Sequence, residues 1–113
     1  MENTNWVNEF PAAVTVADAA GIIIAMNERS ISTFAADGGR ALIGKNLSEC
    51  HPGTSAEKLQ TLLENRRMNC YTIEKNGAWK MIYQCPWFEN GEYRGFVELS
   101  LPIPEQMPHF IRS

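Results

Sequence analysis

The sequence predicts one α+β domain, a single five-stranded antiparallel sheet with its helices inserted between the second and third strands. Three observations predict it. Asn76-Gly77 and Asn90-Gly91 each separate two strand-like runs, and Asn-Gly is the strongest short hairpin signal because a type I′ turn needs two positive φ angles. The two capped helix signals, after Asn27 and at Thr54, both fall in the middle of the chain. The length of 113 residues, with 44% hydrophobic and 20% charged side chains, suits one domain with one core.

Asn5 to Phe10 reads as a short helical turn, with Trp6 and Phe10 on one side at i, i+4 spacing, stopped by Pro11. Ala13 to Asp18 and Ile22 to Met26 read as strands. Asp18-Ala19-Ala20-Gly21 joins them as a hairpin turn in which glycine takes positive φ. Asn27 caps a helix whose apolar positions are Ile31, Phe34 and Ala35, ended by Gly38-Gly39. Arg40 to Cys50 shows no long period and reads as short turns and loop.

After Pro52-Gly53, Thr54 and Glu57 have capping-box spacing. The helix that follows places Leu59, Leu62 and Leu63 on one face and ends at Arg66-Arg67, which suits the helix dipole. Asn69 to Glu74, Trp79 to Cys85 and Tyr93 to Leu101 are the remaining strands, and Pro102 and Pro104 are expected to end the sheet. Trp79, Met81, Tyr83, Cys85 and Trp87 share one face of the fourth strand; Tyr93, Gly95, Val97, Leu99 and Leu101 share one face of the fifth.

Composition excludes several functions. The net charge is −3, and Arg66-Arg67 is the only adjacent basic pair, so no nucleic-acid partner is expected. The longest apolar run, Ile22 to Met26, is far too short to span a membrane. The first ten residues lack a basic region followed by an apolar stretch, so a cytoplasmic location is expected. Cys50, Cys70 and Cys85 cannot all pair and form no Cys-x-x-Cys, so reduced thiols are the simplest reading. No nucleophile–base order, phosphate-cradling glycine loop or paired carboxylates stand out, so no enzyme is expected.

The element order and four segments resemble the PAS domain family. Phe10-Pro11-Ala12-Ala13-Val14-Thr15-Val16-Ala17-Asp18 is similar to its first strand and opening turn. Gly21 to Glu28 follows its G-x-I-x-x-x-N pattern, Leu42-Ile43-Gly44-Lys45-Asn46-Leu47 its I-G-K bridge, and Gly91 to Glu98 its G-x-x-x-G entry to the last strand. Cys50-His51-Pro52 resembles a subgroup of bacterial and archaeal members. The resemblance covers about residues 8–104. It implies strand order 2-1-5-4-3, helices over one face, and a pocket between helices and sheet that holds haem, flavin, a small carboxylate or nothing. It also implies a sensor or interaction module, often a homodimer through an N-terminal helix, whose signal usually passes to an attached effector domain; none is read in this sequence, so docking on a separate effector protein, or a fragment of a longer chain, is expected.

The candidate ligand-binding residues are His51, Cys50, Tyr83, Met81, Met26 and Phe34. His51 is a pocket residue, or a haem ligand, since neutral imidazole binds iron well; the plainer alternative is a backbone hydrogen bond where loop meets helix. Cys50 is a small buried hydrophobe or its neighbour in a site, although adjacent residues in an extended segment point opposite ways. The aromatic stripe of the fourth strand is core, a ligand wall or a face covered by another subunit. Tyr83 and Gln84 lie on opposite faces, so only one of them meets the pocket. No metal is expected, and no cofactor beyond the haem alternative.

Overall fold

The computed structural model describes residues 5–47 and 65–113. Cys50, His51 and the leucine face of the predicted second helix lie outside the described residues. The elements are β1 (Ala13–Asp18), β2 (Ile23–Met26), α1 (Glu28–Thr33), β3 (Asn69–Lys75), β4 (Ala78–Glu89) and β5 (Glu92–Ile103). The strands form one sheet in the order β2-β1-β5-β4-β3, every neighbouring pair antiparallel. The fold class and strand order are those expected.

The turns follow from local chemistry. Asn76 and Gly77 take φ of 54° and 79°, and Asn90 and Gly91 take 53° and 80°, as a type I′ turn requires. In the β1–β2 turn, Asp18 Oδ1 accepts hydrogen bonds from the Ala20 and Ile22 N–H groups, both at 2.9 Å. Such an Asx turn satisfies backbone donors that no ladder reaches. Upstream, Trp6 and Phe10 meet edge to face with ring centres 5.6 Å apart.

Two elements differ from expectation. The first helix is a single short α-helix followed by two 3-10 turns, Ala35–Asp37 and Gly39–Leu42. Gly38 at φ 125° and Gly39 at φ 54° leave the helical region, so the apolar period cannot continue as one helix. The strands also run through their prolines. Pro86 lies beyond the last β3–β4 pair, Asn69↔Gln84, and Pro102 lies beyond the last β1–β5 pair, Ser100↔Ala13. Each has a neighbouring strand on one side only, so its missing N–H need leave no ladder bond unmade.

The core forms where α1 and the 3-10 turns pack on the β2, β1 and β5 end of the sheet. Ala17, Ile23, Met26, Leu42, Leu47 and Phe96 are its buried members, with Ile31 and Phe34 packed against them. Phe96 is completely buried. Burying a phenylalanine stabilises a fold by roughly 1.5–3 kcal/mol.

Candidate ligand site on the helix-facing side of the sheet

Strand register places four polar side chains in one line on the side that faces α1. Thr15 of β1 lies opposite Glu98 of β5, Glu98 opposite Gln84 of β4, and Gln84 opposite Asn69 of β3. Three of them, Glu98, Gln84 and Asn69, are linked as well as aligned. Gln84 Nε2 donates to Glu98 Oε2 at 2.7 Å, and Asn69 Nδ2 donates to Gln84 Oε1 at 3.1 Å. At the other end, the Thr15 and Ser30 hydroxyls share a hydrogen bond of 2.5 Å. Thr15, Ser30, Gln84 and Glu98 are all buried, Glu98 at 6% exposure. Buried polar groups on this scale are tolerated only when they satisfy one another.

Beside this row the sheet and the helical layer leave a cleft of about 300 Å³. Its floor comes from Ile82 and Ser100, with Tyr71 and Ile73 of β3 on one flank and Thr33, Phe34 and Asp37 above. Glu98 closes the polar-row end, and Lys80 and Lys75 reach the other. Burial, and after it the nearby Glu98 carboxylate, pushes the Tyr71 phenol above its ordinary value of 10.0. Tyr71 therefore stays a neutral hydroxyl near neutral pH.

Asn27 fixes α1 above this floor. Its Oδ1 accepts from the Ser30 N–H, as an N-cap does, and from the Val14 N–H of β1, both at 2.9 Å. Its Nδ2 donates to the Val7 carbonyl at 2.9 Å and the Ala12 carbonyl at 2.8 Å. One buried amide thus ties the N-terminal turn, β1 and the helix start together.

The structure sorts the sequence-predicted site residues. Phe34 lines the cleft. Met26 does not; it belongs to the core. Met81 and Tyr83 are corrected to the other side of the sheet, because they alternate along β4 with Ile82, which lines the cleft, and with buried Gln84. Of the pair Tyr83 and Gln84, it is Gln84 that faces the helices. Cys50 and His51 lie outside the described residues. Sequence reasoning missed Tyr71, Lys80, Ile82, Glu98 and Ser100.

The outer side of the sheet is apolar. Val14 and Val16 of β1, Val97, Leu99 and Leu101 of β5, and Trp79, Met81, Tyr83, Cys85 and Trp87 of β4 are all half-buried there. Burial pushes the Cys85 thiol above its ordinary value. Cys70 and Cys85 are both free thiols. No helix among the described residues is long and apolar enough to cross a membrane.

No family model and no curated protein sequence matches the chain. Solved structures do match. The fold is similar to the PAS domain of BvgS from Bordetella pertussis, at 21% identity over 88% of this chain and 82% of that one, with a TM-score of 0.66. It is similar to the Aer2 receptor of Vibrio cholerae, described as a dual PAS–haem oxygen sensor, at 18% identity over 82% and 95% of the two chains and a TM-score of 0.64. A sensory box sensor histidine kinase from Vibrio cholerae matches at 16% identity over 88% and 87%, with a TM-score of 0.61. The chain has the PAS fold.

Proposed function

We propose that this chain is a sensory module that binds a small molecule in the cleft beneath α1 and passes the change to a separate effector protein. The observation that carries this reading is the buried polar row, Thr15–Glu98–Gln84–Asn69, beside a cleft lined by Tyr71, Lys80 and Ser100. A side of the sheet built only for packing would be apolar; this one combines hydroxyls, amides and charges with an apolar floor, as small-molecule sites do. The structural neighbours named as a receptor and a sensor kinase support the same class of role. Because α1 is tied to the N-terminal turn through Asn27, a ligand that shifts α1 has a route to the surface.

The test is a fragment screen read by methyl and amide NMR. Fragments should shift Ile82, Ser100 and Tyr71; a library that moves none of them would overturn the reading. The haem alternative rests on His51, since among the described residues lining the cleft none is histidine, cysteine or methionine. A Soret band lost in His51→Ala would establish it.

The apolar outer side favours a second, compatible reading as a homodimer surface. Removal of residues 1–10 should then turn a dimer into a monomer in sedimentation, and an unchanged mass would overturn the dimer.

A further inference from the structure

The two edges of the sheet differ. Beside β2 the chain covers the edge itself. The Ile23 N–H donates to the Lys45 carbonyl and the Gly44 N–H to the Ile23 carbonyl, both at 2.8 Å, and the Leu47 N–H donates to the Gly21 carbonyl at 2.7 Å. β3, at the other edge, pairs with β4 through all seven of its residues in one constant register and contains no proline. Such an edge is a template for another strand unless a bulge, a proline or a covering segment blunts it. The Asn76-Gly77 turn tells which backbone groups of β3 point outward. A two-residue type I′ turn closes on a hydrogen-bonded pair, here Lys75↔Ala78, and bonded pairs alternate along an antiparallel ladder. Asn69, Tyr71, Ile73 and Lys75 therefore bond their backbone to β4, while Cys70, Thr72 and Glu74 present theirs to the edge. Among the described residues, no backbone hydrogen bond from outside the sheet reaches these three.

A second copy of the same strand, antiparallel to the first, meets all three outward residues in one register. With the two-fold axis at Thr72, Thr72 lies opposite its own counterpart, and Cys70 and Glu74 lie opposite one another twice. An axis at Tyr71 or at Ile73 instead leaves Glu74 or Cys70 opposite a residue outside the strand, Met68 or Asn76. The Thr72 register also sets Tyr71 opposite Ile73 twice. Both side chains are large and apolar and each is 39% exposed, and such non-hydrogen-bonded pairs bring side chains closest. No like charges are opposed, since Glu74 meets Cys70 and Lys75 meets Asn69. We infer that β3 is an interaction edge for a second copy of this chain, paired about Thr72, which joins two five-stranded sheets into one. Seven residues a side is well short of the about 20–30 that a stable interface uses, so the contact is weak and reversible. It serves to cluster chains, and it lies apart from the outer side of the sheet, so it stands or falls independently of the dimer reading above.

Disulfide trapping on the full chain tests the register. With Cys50→Ser and Cys85→Ser in place, Cys70 is the sole thiol. Facing Glu74, it lies four residues, about 13 Å along the strand, from its counterpart, beyond the roughly 7 Å Cα reach of a disulfide. Adding Glu74→Cys sets a thiol opposite each Cys70. In a separate chain, Thr72→Cys with Cys70→Ser sets one thiol opposite its counterpart, with Cα atoms about 5.5 Å apart. Thr72 and Glu74 are exposed, so these chains should keep the fold, which circular dichroism checks. At equal concentration under mild oxidation, both should form disulfide dimers at least about tenfold faster than the chain with Cys70 alone. Thr72→Lys added to the Glu74→Cys chain should return it to the slow rate, because two ammonium groups then stand opposite one another. Equal rates in all chains would mean random collision and would overturn the inference. So would a fastest rate for Cys70 alone, a Glu74→Cys chain that stays fast with Thr72→Lys, or no trapped dimer in any chain.

Discussion

Ile82 and Gln84 turn toward α1, while Met81 and Tyr83, one residue away on the same strand, turn to the opposite side. The two sides of the sheet thus share every strand and differ in chemistry. The helix-facing side holds a linked polar row and a charged cleft; the outer side holds valines, leucines and aromatics. The apolar core under the helices is confined to the β2, β1 and β5 end; a sheet that served only to pack would carry it across the whole covered side and leave the polar groups to the outer one. The difference teaches that burial and polarity are separable on one sheet, and it is what the proposed reading, recognition on the covered side and contact on the outer one, rests on.

What assigns the residues of β5 to their sides is one bulge. Glu89 pairs with Glu92 and Phe88 with Tyr93, but Trp87 pairs with Gly95, so Arg94 is an extra residue. From there the register is shifted by one, and Glu98, not Val97, lies opposite Gln84. Gly95 permits the arrangement. It has φ of 152°, and a Cβ there would come within 2.0 Å of the Ala17 carbonyl oxygen. Over the same place, Trp87 Nε1 donates to that oxygen at 3.1 Å.

Gly95→Ala breaks the comparison at this root and has the largest expected effect. A methyl group that meets backbone cannot be relieved by a rotamer change, so β1 and β5 must separate. Urea unfolding should show a loss of about 4 kcal/mol or more. A loss under about 1 kcal/mol would mean that the bulge does not depend on glycine.

Asn27→Ala comes next. It removes the N-cap of α1 and leaves the Val14 N–H without its side-chain acceptor. The expected cost is about 3 kcal/mol, from a cap worth about 1 and an orphaned donor worth about 1–3. Asn27→Asp should recover part of it, since a carboxylate keeps the two acceptor bonds and loses those to Val7 and Ala12.

A matched pair sharpens the contrast between the sides. Gln84→Leu puts an apolar residue in the polar row and removes the donor to Glu98 and the acceptor of Asn69. It should cost about 2 kcal/mol despite raising hydrophobicity. Leu99→Gln, on the outer side, should cost about 1 kcal/mol by chemical unfolding. If Gln84→Leu stabilises the fold, the polar row is not a linked unit.

The smallest effect is one of pH. The Tyr71 phenol is raised in the folded chain, so on going above pH 10 the unfolded chain loses this proton first. Its contribution is thus full below that pH and declines above it. Tyr71→Phe should flatten the alkaline decline. An unchanged alkaline limb would mean that the cleft does not desolvate the Tyr71 phenol.

These tests also mark what was legible in the sequence. The hairpins were, because Asn76-Gly77, Asn90-Gly91 and Asp18 to Gly21 encode their turns within four residues, and Asn27 encodes its cap the same way. The register from the Asn76-Gly77 turn alone pairs Tyr71 with Ile82 and Asn69 with Gln84. The site was hardly legible. The stripe Trp79, Met81, Tyr83, Cys85 and Trp87 looks inward-facing by hydropathy, and Glu98 and Ser100 look solvated. Hydropathy scores single side chains, whereas a polar row is made tolerable by its partners, and the partners follow from a bulge that the Glu-Tyr-Arg-Gly stretch does not announce. Phe34, which borders the cleft, was legible as an inward-facing position because a helix face is periodic over its own few residues.

The central claim is that a small molecule meets the helix-facing side of this sheet. Ile82 and Met81 are adjacent and report on the two sides, so one spectrum decides it. With methyl-labelled isoleucine and methionine, titration of a fragment library should move the Ile82 and Ile73 methyls and leave that of Met81 in place. Movement of Met81 with Ile82 and Ile73 unmoved would put the ligand on the outer side and contradict the account.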